Sequence, residues 1–340
     1  MPTIKPTPTT EKAVAIQVSD MHIAGELIAL DIGKQLPSPS TNAATCILII
    51  GHSINDREAV IAKLTKHKLA FQEGFGSVGK NAIVVVGVQQ LHKNLHKISI
   101  NPKQLTTVYI LEPTVVVTKT FKKIWVKFER KGAGAHFGVI GYGITLERHD
   151  KKPIVPFFDE LCYHSGLQEG IEARSLRRLD RSFVTVDKED AQLDTMLKIV
   201  NKLVYCRKRI VVSLNSNAEA DRMVAMINLC WTAPVAAKWT VRTECSQKDK
   251  AVRDFNMGNI SVLIKIFSTK DIGLEQVDAL VLSHKTKSHP RFLKIVQSLM
   301  LIGHASTPLS VFEVGTGSDK MMYQNISEIL ASQAKDAKAM

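Results

Sequence analysis

Apolar and polar residues along this chain alternate with two different periods. Cys46–Ile50, Ala82–Val86, Val108–Leu111 and Phe137–Ile140 are compact apolar runs of strand length, most of them rich in Ile and Val. Between them, Asp56–Lys66, Gln89–His96 and Phe121–Arg130 repeat their apolar positions at the spacing of a helix with one buried face. The rhythm resumes in the second half. Ser182–Val186, Ile210–Leu214, Val235–Trp239, Ile260–Ile264, Ala279–Leu282 and Leu309–Phe312 read as strands, and Ala191–Leu203, Ala218–Asn228, Gln247–Asn256, Pro290–Leu301 and Asp319–Gln333 as helices. Strands that are apolar on both faces and separated by helices predict parallel sheets covered on both sides. The stretch from His149 to Asp180 mixes prolines, glycines and the basic run Arg174-Ser-Leu-Arg-Arg-Leu-Asp-Arg181, which places a junction there. The expected fold class is α/β with two tandem domains, 13–173 and 174–335, behind a Pro- and Thr-rich disordered leader at 1–12.

A length of 340 residues with 45% hydrophobic content suffices for two separate cores. No run approaches the roughly 18 apolar residues that a membrane-spanning helix needs, and no basic-then-apolar signal opens the sequence. The expectation is a soluble intracellular protein with no membrane partner. Five cysteines lie scattered without CxxC or metal-ligand spacing, which predicts neither a disulfide-linked partner nor a zinc site. Lys and Arg exceed Asp and Glu by 45 to 32, and the net +13 favours polyanions such as RNA while serving solubility equally well. Trp125, Trp231 and Trp239 lie in or beside apolar runs and are expected in the core rather than as base-stacking platforms.

One motif invites a nucleotide. Gly74-Phe-Gly-Ser-Val-Gly-Lys80-Asn81 matches most of the phosphate-binding pattern G-x-x-x-x-G-K-[ST]. That pattern works only where a strand leads in and a helix N-terminus follows, so that backbone amides and the helix dipole meet the phosphate. Here a strand-like run, Ala82–Val86, follows at once, and Asn81 replaces the magnesium-ligating hydroxyl. The motif is therefore a structural turn.

The second half carries more information. Gln247-Lys-Asp-Lys-Ala-Val-Arg-Asp-Phe-Asn-Met-Gly-Asn-Ile-Ser-Val-Leu-Ile264 resembles the segment Q-x-x-R-x-x-x-L-x-x-F-x-x-G-x-x-x-V-L-V of DEAD-box RNA helicases. Ser182-Phe-Val-Thr-Val-Asp-Lys188, Lys208-Arg-Ile-Val-Val-Ser213 and Lys270-Asp-Ile-Gly-Leu-Glu-Gln-Val277 are similar to that family's opening strand, motif IV and motif V, in order and spacing. The resemblance implies two RecA-like domains of the P-loop NTPase type. Ala251-Val-Arg-Asp-Phe-Asn-Met-Gly258 looks most like the Vasa-type subgroup.

In the same register, Ala15–Ile28 falls on A-Q-T-G-S-G-K-T and its following helix, where only Gln17 survives; His22 stands at the Lys position and Ile23 at the Thr position. Leu111 stands where the family's metal-holding Asp would be, Glu112 at the water-orienting Glu, and Gly141-Tyr-Gly143 at S-A-T. Lys294–Leu301 replaces H-R-x-G-R-x-x-R without a single arginine. Phosphoryl transfer rests on a lysine, a metal and an arginine finger. The resemblance therefore implies a degenerate helicase with no ATP or Mg²⁺ cofactor, acting through RNA or protein partners in ribonucleoprotein assemblies in the cytoplasm or its granules, with the nucleus left open. The rival expectation is a divergent but active ATP-dependent RNA helicase, in which ATP and Mg²⁺ would be required and Glu112 catalytic. Gln247, Lys248, Lys250, Arg253 and Lys270 are the positions expected to meet RNA phosphates.

Overall fold

The apolar runs of the first half become neighbouring strands of one sheet in a computed structural model. It describes residues 13–35, 46–74, 82–97, 105–131, 137–146, 153–154, 157–188, 191–240, 242–266, 273–283, 289–303 and 306–316. The leader, the expected helix at 319–333 and Lys270 lie outside these residues. Contacts divide the chain into two units between Glu169 and Gly170.

In the first unit the chain runs through β1 (Ala13–Gln17), α1 (Met21–Gln35), β2 (Cys46–Gly51), α2 (Ile54–Lys66), β3 (Phe71–Glu73) and β4 (Ala82–Gly87). It continues through α3 (Val88–Lys93), β5 (Leu105–Leu111), α4 (Lys119–Lys131), β6 (Gly138–Gly143) and β7 (Glu160–Tyr163). The strands pair in parallel in the order β3-β4-β2-β5-β6-β1-β7. The chain steps across the sheet in one direction through α1 and α2, then back through α3 and α4. Right-handed crossovers therefore put the first pair of helices on one face and the second pair on the other. Alternation along each strand feeds both cores: Ile47 and Ile49 pack with Ile28 and Val60, while Leu48 and Ile50 pack with Phe121 and Ile124.

After α5 (Leu167–Glu172), the second unit comprises β8 (Leu179–Val186), α6 (Ala191–Tyr205), β9 (Ile210–Leu214), α7 (Asn217–Leu229) and β10 (Ala236–Trp239). It closes with α8 (Cys245–Met257), β11 (Val262–Ile266), β12 (Ala279–Ser283), α9 (His289–Met300) and β13 (Leu309–Thr316). Its sheet is also parallel, in the order β10-β11-β9-β12-β13-β8. The same crossover rule sets α6 and α7 against α8 and α9 across it. The α/β class with parallel, helix-covered sheets is as the periodicity predicts.

Three details differ from the pattern. β3, β7 and α5 are too short to give a periodic signal. β11 begins at Val262 rather than Ile260, because Gly258 ends α8 in the left-handed conformation and the N–H of Ser261 and Val262 both turn to the Val235 carbonyl. The basic run at the junction also splits by role. Arg177, 2% exposed, donates to the carbonyls of Val277 (2.6 Å), Thr307 (2.7 Å), Ile302 (2.8 Å) and Pro308 (3.0 Å). Arg181 pairs with the buried Glu313 of β13.

Lys68, Arg174 and Arg207 take positive φ just past helix ends, at 55°, 58° and 55°. Glycine usually fills that place; here each position carries a basic residue, a charge that the negative end of a helix favours.

Candidate functional site

In open parallel sheets, ligands meet the chain at the carboxyl ends of the strands. At that edge of the first unit, β1 passes into α1 through only three residues, Val18, Ser19 and Asp20. Their amides are turned inward. Val18 N–H donates to the Gly143 carbonyl at 2.9 Å, and Ser19 N–H to the Ser165 hydroxyl at 2.9 Å. Asp20 is 1% exposed and its Oδ1 accepts from Ile23 N–H at 2.9 Å, while its Oδ2 accepts from the Ser19 hydroxyl at 3.3 Å. A carboxylate thus occupies the end of α1 where orphan amides and the helix dipole favour an anion. His22 is exposed, and Ile23 packs partly into the α1–α2 core. Gln17 points to the opposite face, with Ala15, and its Nε2 has no partner among the described residues. Asp20 and Ser165 were not singled out by sequence, although Asp directly before a helical run is a capping signal.

Glu112 follows the last residue of β5, is 3% exposed, and has φ 63°. Its N–H donates to the Tyr142 carbonyl at 2.8 Å, and its own carbonyl accepts from Val115 N–H at 3.1 Å. Leu111, beside it, is wholly buried in the α1–α2 core. Neither Leu111 nor Ile23 has a side-chain oxygen to offer a metal. Opposite, Gly141 and Gly143 lie under Pro113: a Cβ at either would come within 2.8 or 2.7 Å of its ring.

The ends of β2, β4 and β3 gather a second cluster. Ser53 caps α2 in a reciprocal box with Asp56. Arg57, on the first turn, lies against Gly51, where a Cβ would come within 2.2 Å of its side chain, and its guanidinium is near Gly87 and 3.5 Å from the Glu73 carboxylate. Arg57 was also missed, because nothing but the spatial convergence of three strand ends distinguishes it. Gly74 directly follows β3 with φ 81°, and its N–H donates to the Val85 carbonyl of β4 at 2.9 Å; the rest of the glycine-rich motif, 75–81, lies outside the described residues.

In the second unit, α8 buries Ala251 and Phe255 and leaves Gln247, Lys250 and Arg253 exposed. Lys248 Nζ lies 5.5 Å from the centroid of the Trp239 ring, at the end of edge strand β10. Trp239 is therefore half-buried beneath a cation rather than part of the core expected for it. Trp125 and Trp231 do pack against their cores, Trp125 within a cluster of Phe121, Phe137 and Phe157. Along α9, Ile295, Val296, Leu299 and Met300 are all buried. The segment set against the family's arginine motif is a core-packing face.

No family model matches the chain. IRC3 of Saccharomyces cerevisiae, a protein provisionally described as an ATP-dependent helicase, is 24% identical over 261 residues, 69% of this chain and 37% of that protein. The chain therefore spans little more than a third of that relative's length. Among solved structures, S. cerevisiae Dbp5 bound to RNA and ADP BeF3 superposes with a TM-score of 0.63 at 11% identity, covering 93% of this chain and 83% of that one. Mycobacterium smegmatis Lhr bound to ssDNA and AMP-PNP gives 0.60 at 15%, covering 94% and 46%. A DEAD box protein from Methanococcus jannaschii gives 0.50 at 14%, covering 95% and 87%. The fold is that of tandem RecA-like helicase domains.

Proposed function

We propose that this chain is a degenerate DEAD-box-like protein that binds single-stranded RNA without binding or hydrolysing ATP, and works in ribonucleoprotein assembly in the cytoplasm. One observation carries the reading. The α1 N-terminus, where a nucleotide phosphate would need free amides and positive potential, is capped by the buried carboxylate of Asp20. A phosphate brought there would meet a like charge in a site of low dielectric. The residues around it do not fit a metal–nucleotide complex either, since Ile23 and Leu111 are hydrocarbon and the buried face of α9 supplies no arginine.

The RNA half of the proposal is supported by the +13 charge and by two cationic groups. Arg57 lies at the strand ends of the first unit, and in the second Lys250 and Arg253 are exposed on α8, the helix whose Lys248 lies over Trp239. Such groups hold phosphates without reading sequence. Dbp5 has been seen bound to RNA, and to Gle1 and Nup159, which makes RNA and protein partners reasonable for a chain of this fold.

A rival reading, an active ATP-dependent helicase, draws on Glu112, which persists at the end of β5 with its backbone fixed. Titrating a fluorescent ATP analogue and labelled single-stranded RNA, separately and together, distinguishes the two. RNA binding at micromolar affinity, weakened by salt and indifferent to nucleotide, is expected. RNA-stimulated ATP hydrolysis that Glu112→Gln abolishes would overturn the proposal.

A further inference from the structure

Among the described residues, Tyr205 and Leu229 are the barest large apolar side chains, 82% and 86% exposed. They end α6 and α7. Both helices start at the carboxyl ends of the strands and run back, so these termini lie at the opposite edge of the second sheet, away from α8's first turn. A hydrogen bond of 3.1 Å from Trp231 Nε1 to Asn201 Oδ1 ties the chain just past α7 to the end of α6. Tyr205 is one turn beyond Asn201, about 6 Å along the axis, and Leu229 is two residues before Trp231. The two side chains therefore belong to one patch.

Along α6 and its end the charge beside this patch is positive. Residues 195–209 and 222–234 contain no Asp or Glu, whereas Lys198, Lys202, Arg207 and Lys208 are all exposed on α6 and its end. Asp278, placed at the same edge by its bond, accepts from Arg209 N–H at 2.8 Å. An apolar centre rimmed by cations suits an occupant with the reverse pattern. A second copy of this chain would set like charges against each other across a two-fold contact. A nucleic acid would satisfy the cations and stack on Tyr205, but it gives no complement to Leu229 or to the exposed Ala233 and Pro234, which offer no aromatic ring.

We infer that this edge of the second unit docks a short acidic segment of a partner protein, its Asp and Glu side chains meeting Lys202, Arg207 and Lys208 and a Phe or Leu side chain covering Tyr205 and Leu229. The site is separate from the strand-end groups assigned to RNA, so it stands or falls independently of them.

The probe is a fluorescein-labelled synthetic peptide built of Asp, Glu, Phe and Leu, titrated into the full chain. Saturable binding in the micromolar to tens-of-micromolar range is expected. Two exposed thiols, Cys206 and Cys230, adjoin Tyr205 and Leu229, and a third, Cys245, opens α8 at the far edge. Bound peptide should slow thiol labelling at Cys206 and Cys230 and leave Cys245 unchanged. Joint Tyr205→Ser and Leu229→Ser replacement should weaken binding at least tenfold with an unaltered melting curve, and Lys202→Glu with Lys208→Glu should do likewise. Absence of saturable binding, protection spread equally to Cys245, or parental affinity in these variants would refute the docking site. Displacement of the peptide by single-stranded RNA would make the patch a polyanion surface and refute it equally.

Discussion

Replacing Asp20 tests the central structural claim about the first unit. Asp20→Ala removes the acceptor for Ile23 N–H and the partner of the Ser19 hydroxyl, and at 1% exposure no bulk water reaches the vacated groups. Loss of a helix cap costs about 1 kcal/mol in exposed settings. Burial and the lost charge at the helix end raise this to about 2–3 kcal/mol. Asp20→Asn keeps a capping oxygen and forfeits only the charge, so it should cost less than about 1 kcal/mol. For a domain of this size each kcal/mol moves the melting midpoint by about 2–4 °C. Thermal denaturation should therefore show Asp20→Ala melting about 5–10 °C below the parent, with Asp20→Asn close to it. The same assay with millimolar ATP and magnesium reads the functional consequence. A nucleotide present at a hundred times its Kd would add about 2.7 kcal/mol, a shift too large to miss. No shift is expected for the parent chain. Equal melting of the Ala and Asn variants, or a parent midpoint raised by ATP, would refute the assignment of Asp20 as the internal anion of α1.

Other outcomes follow from groups described above or beside them. Arg177→Ala leaves four inward-facing carbonyls without their donor and should cost more than about 3 kcal/mol in chemical denaturation of the second unit, and Arg177→Lys should recover little of it because an ammonium cannot span the fork. On α1, Glu26 accepts from His67 at 2.6 Å and faces Lys63 at 3.1 Å, and these contacts, His67 first, lower its pKa from 4.5 to about 2. A depressed folded-state pKa stabilises above the unfolded value and loses that contribution as pH falls from 4.5 toward 2. Glu26→Gln should accordingly cost about 1 kcal/mol at neutral pH, the partial exposure of the pair limiting it, and nothing near pH 2 in an acid titration of stability. Arg207→Gly should raise the melting midpoint slightly, by about 0.5–1 kcal/mol of stability, since glycine takes positive φ without strain; a lowered midpoint would show the cation's bond to the α6 dipole to be worth more.

Much of the fold was legible because its strands are buried on both faces. Cys46–Gly51 and Ile210–Leu214 have no polar alternation, and the helices between such runs have one apolar stripe, so period alone separated the two. The short edges were not legible: three residues of β3 or four of β7 cannot establish a period, and they are strands only because a parallel neighbour offers them hydrogen bonds. Candidate sites divide along the same line. Leu111 and the apolar stretch of α9 could be recognised in sequence, as hydrocarbon where charge would be needed. Asp20 caps α1 through its neighbours Ser19 and Ile23, a signal open to reading, whereas Ser165 meets Ser19 from 146 residues away and Arg57 lies against glycines on two different strands. These last two roles arise only when the chain closes on itself. Trp239 shows the converse, an apolar context in sequence that places its ring at a sheet edge beneath Lys248.

Among the described residues β8, which opens the second unit, pairs only with β13, the last strand of its sheet in chain order, and Arg177 fastens the two through carbonyls 100 to 131 residues away. During synthesis, then, the first strand of this unit emerges with no partner. At about 5–20 residues per second it waits roughly 7–26 s for β13 to leave the ribosome. Throughout that interval its edge and the uncompensated Arg177 are open to wrong partners, joined by the unpaired side of β12 once that strand emerges. The second unit passes through its most aggregation-prone state just before β13 emerges, and a nascent-chain chaperone is needed most at that point.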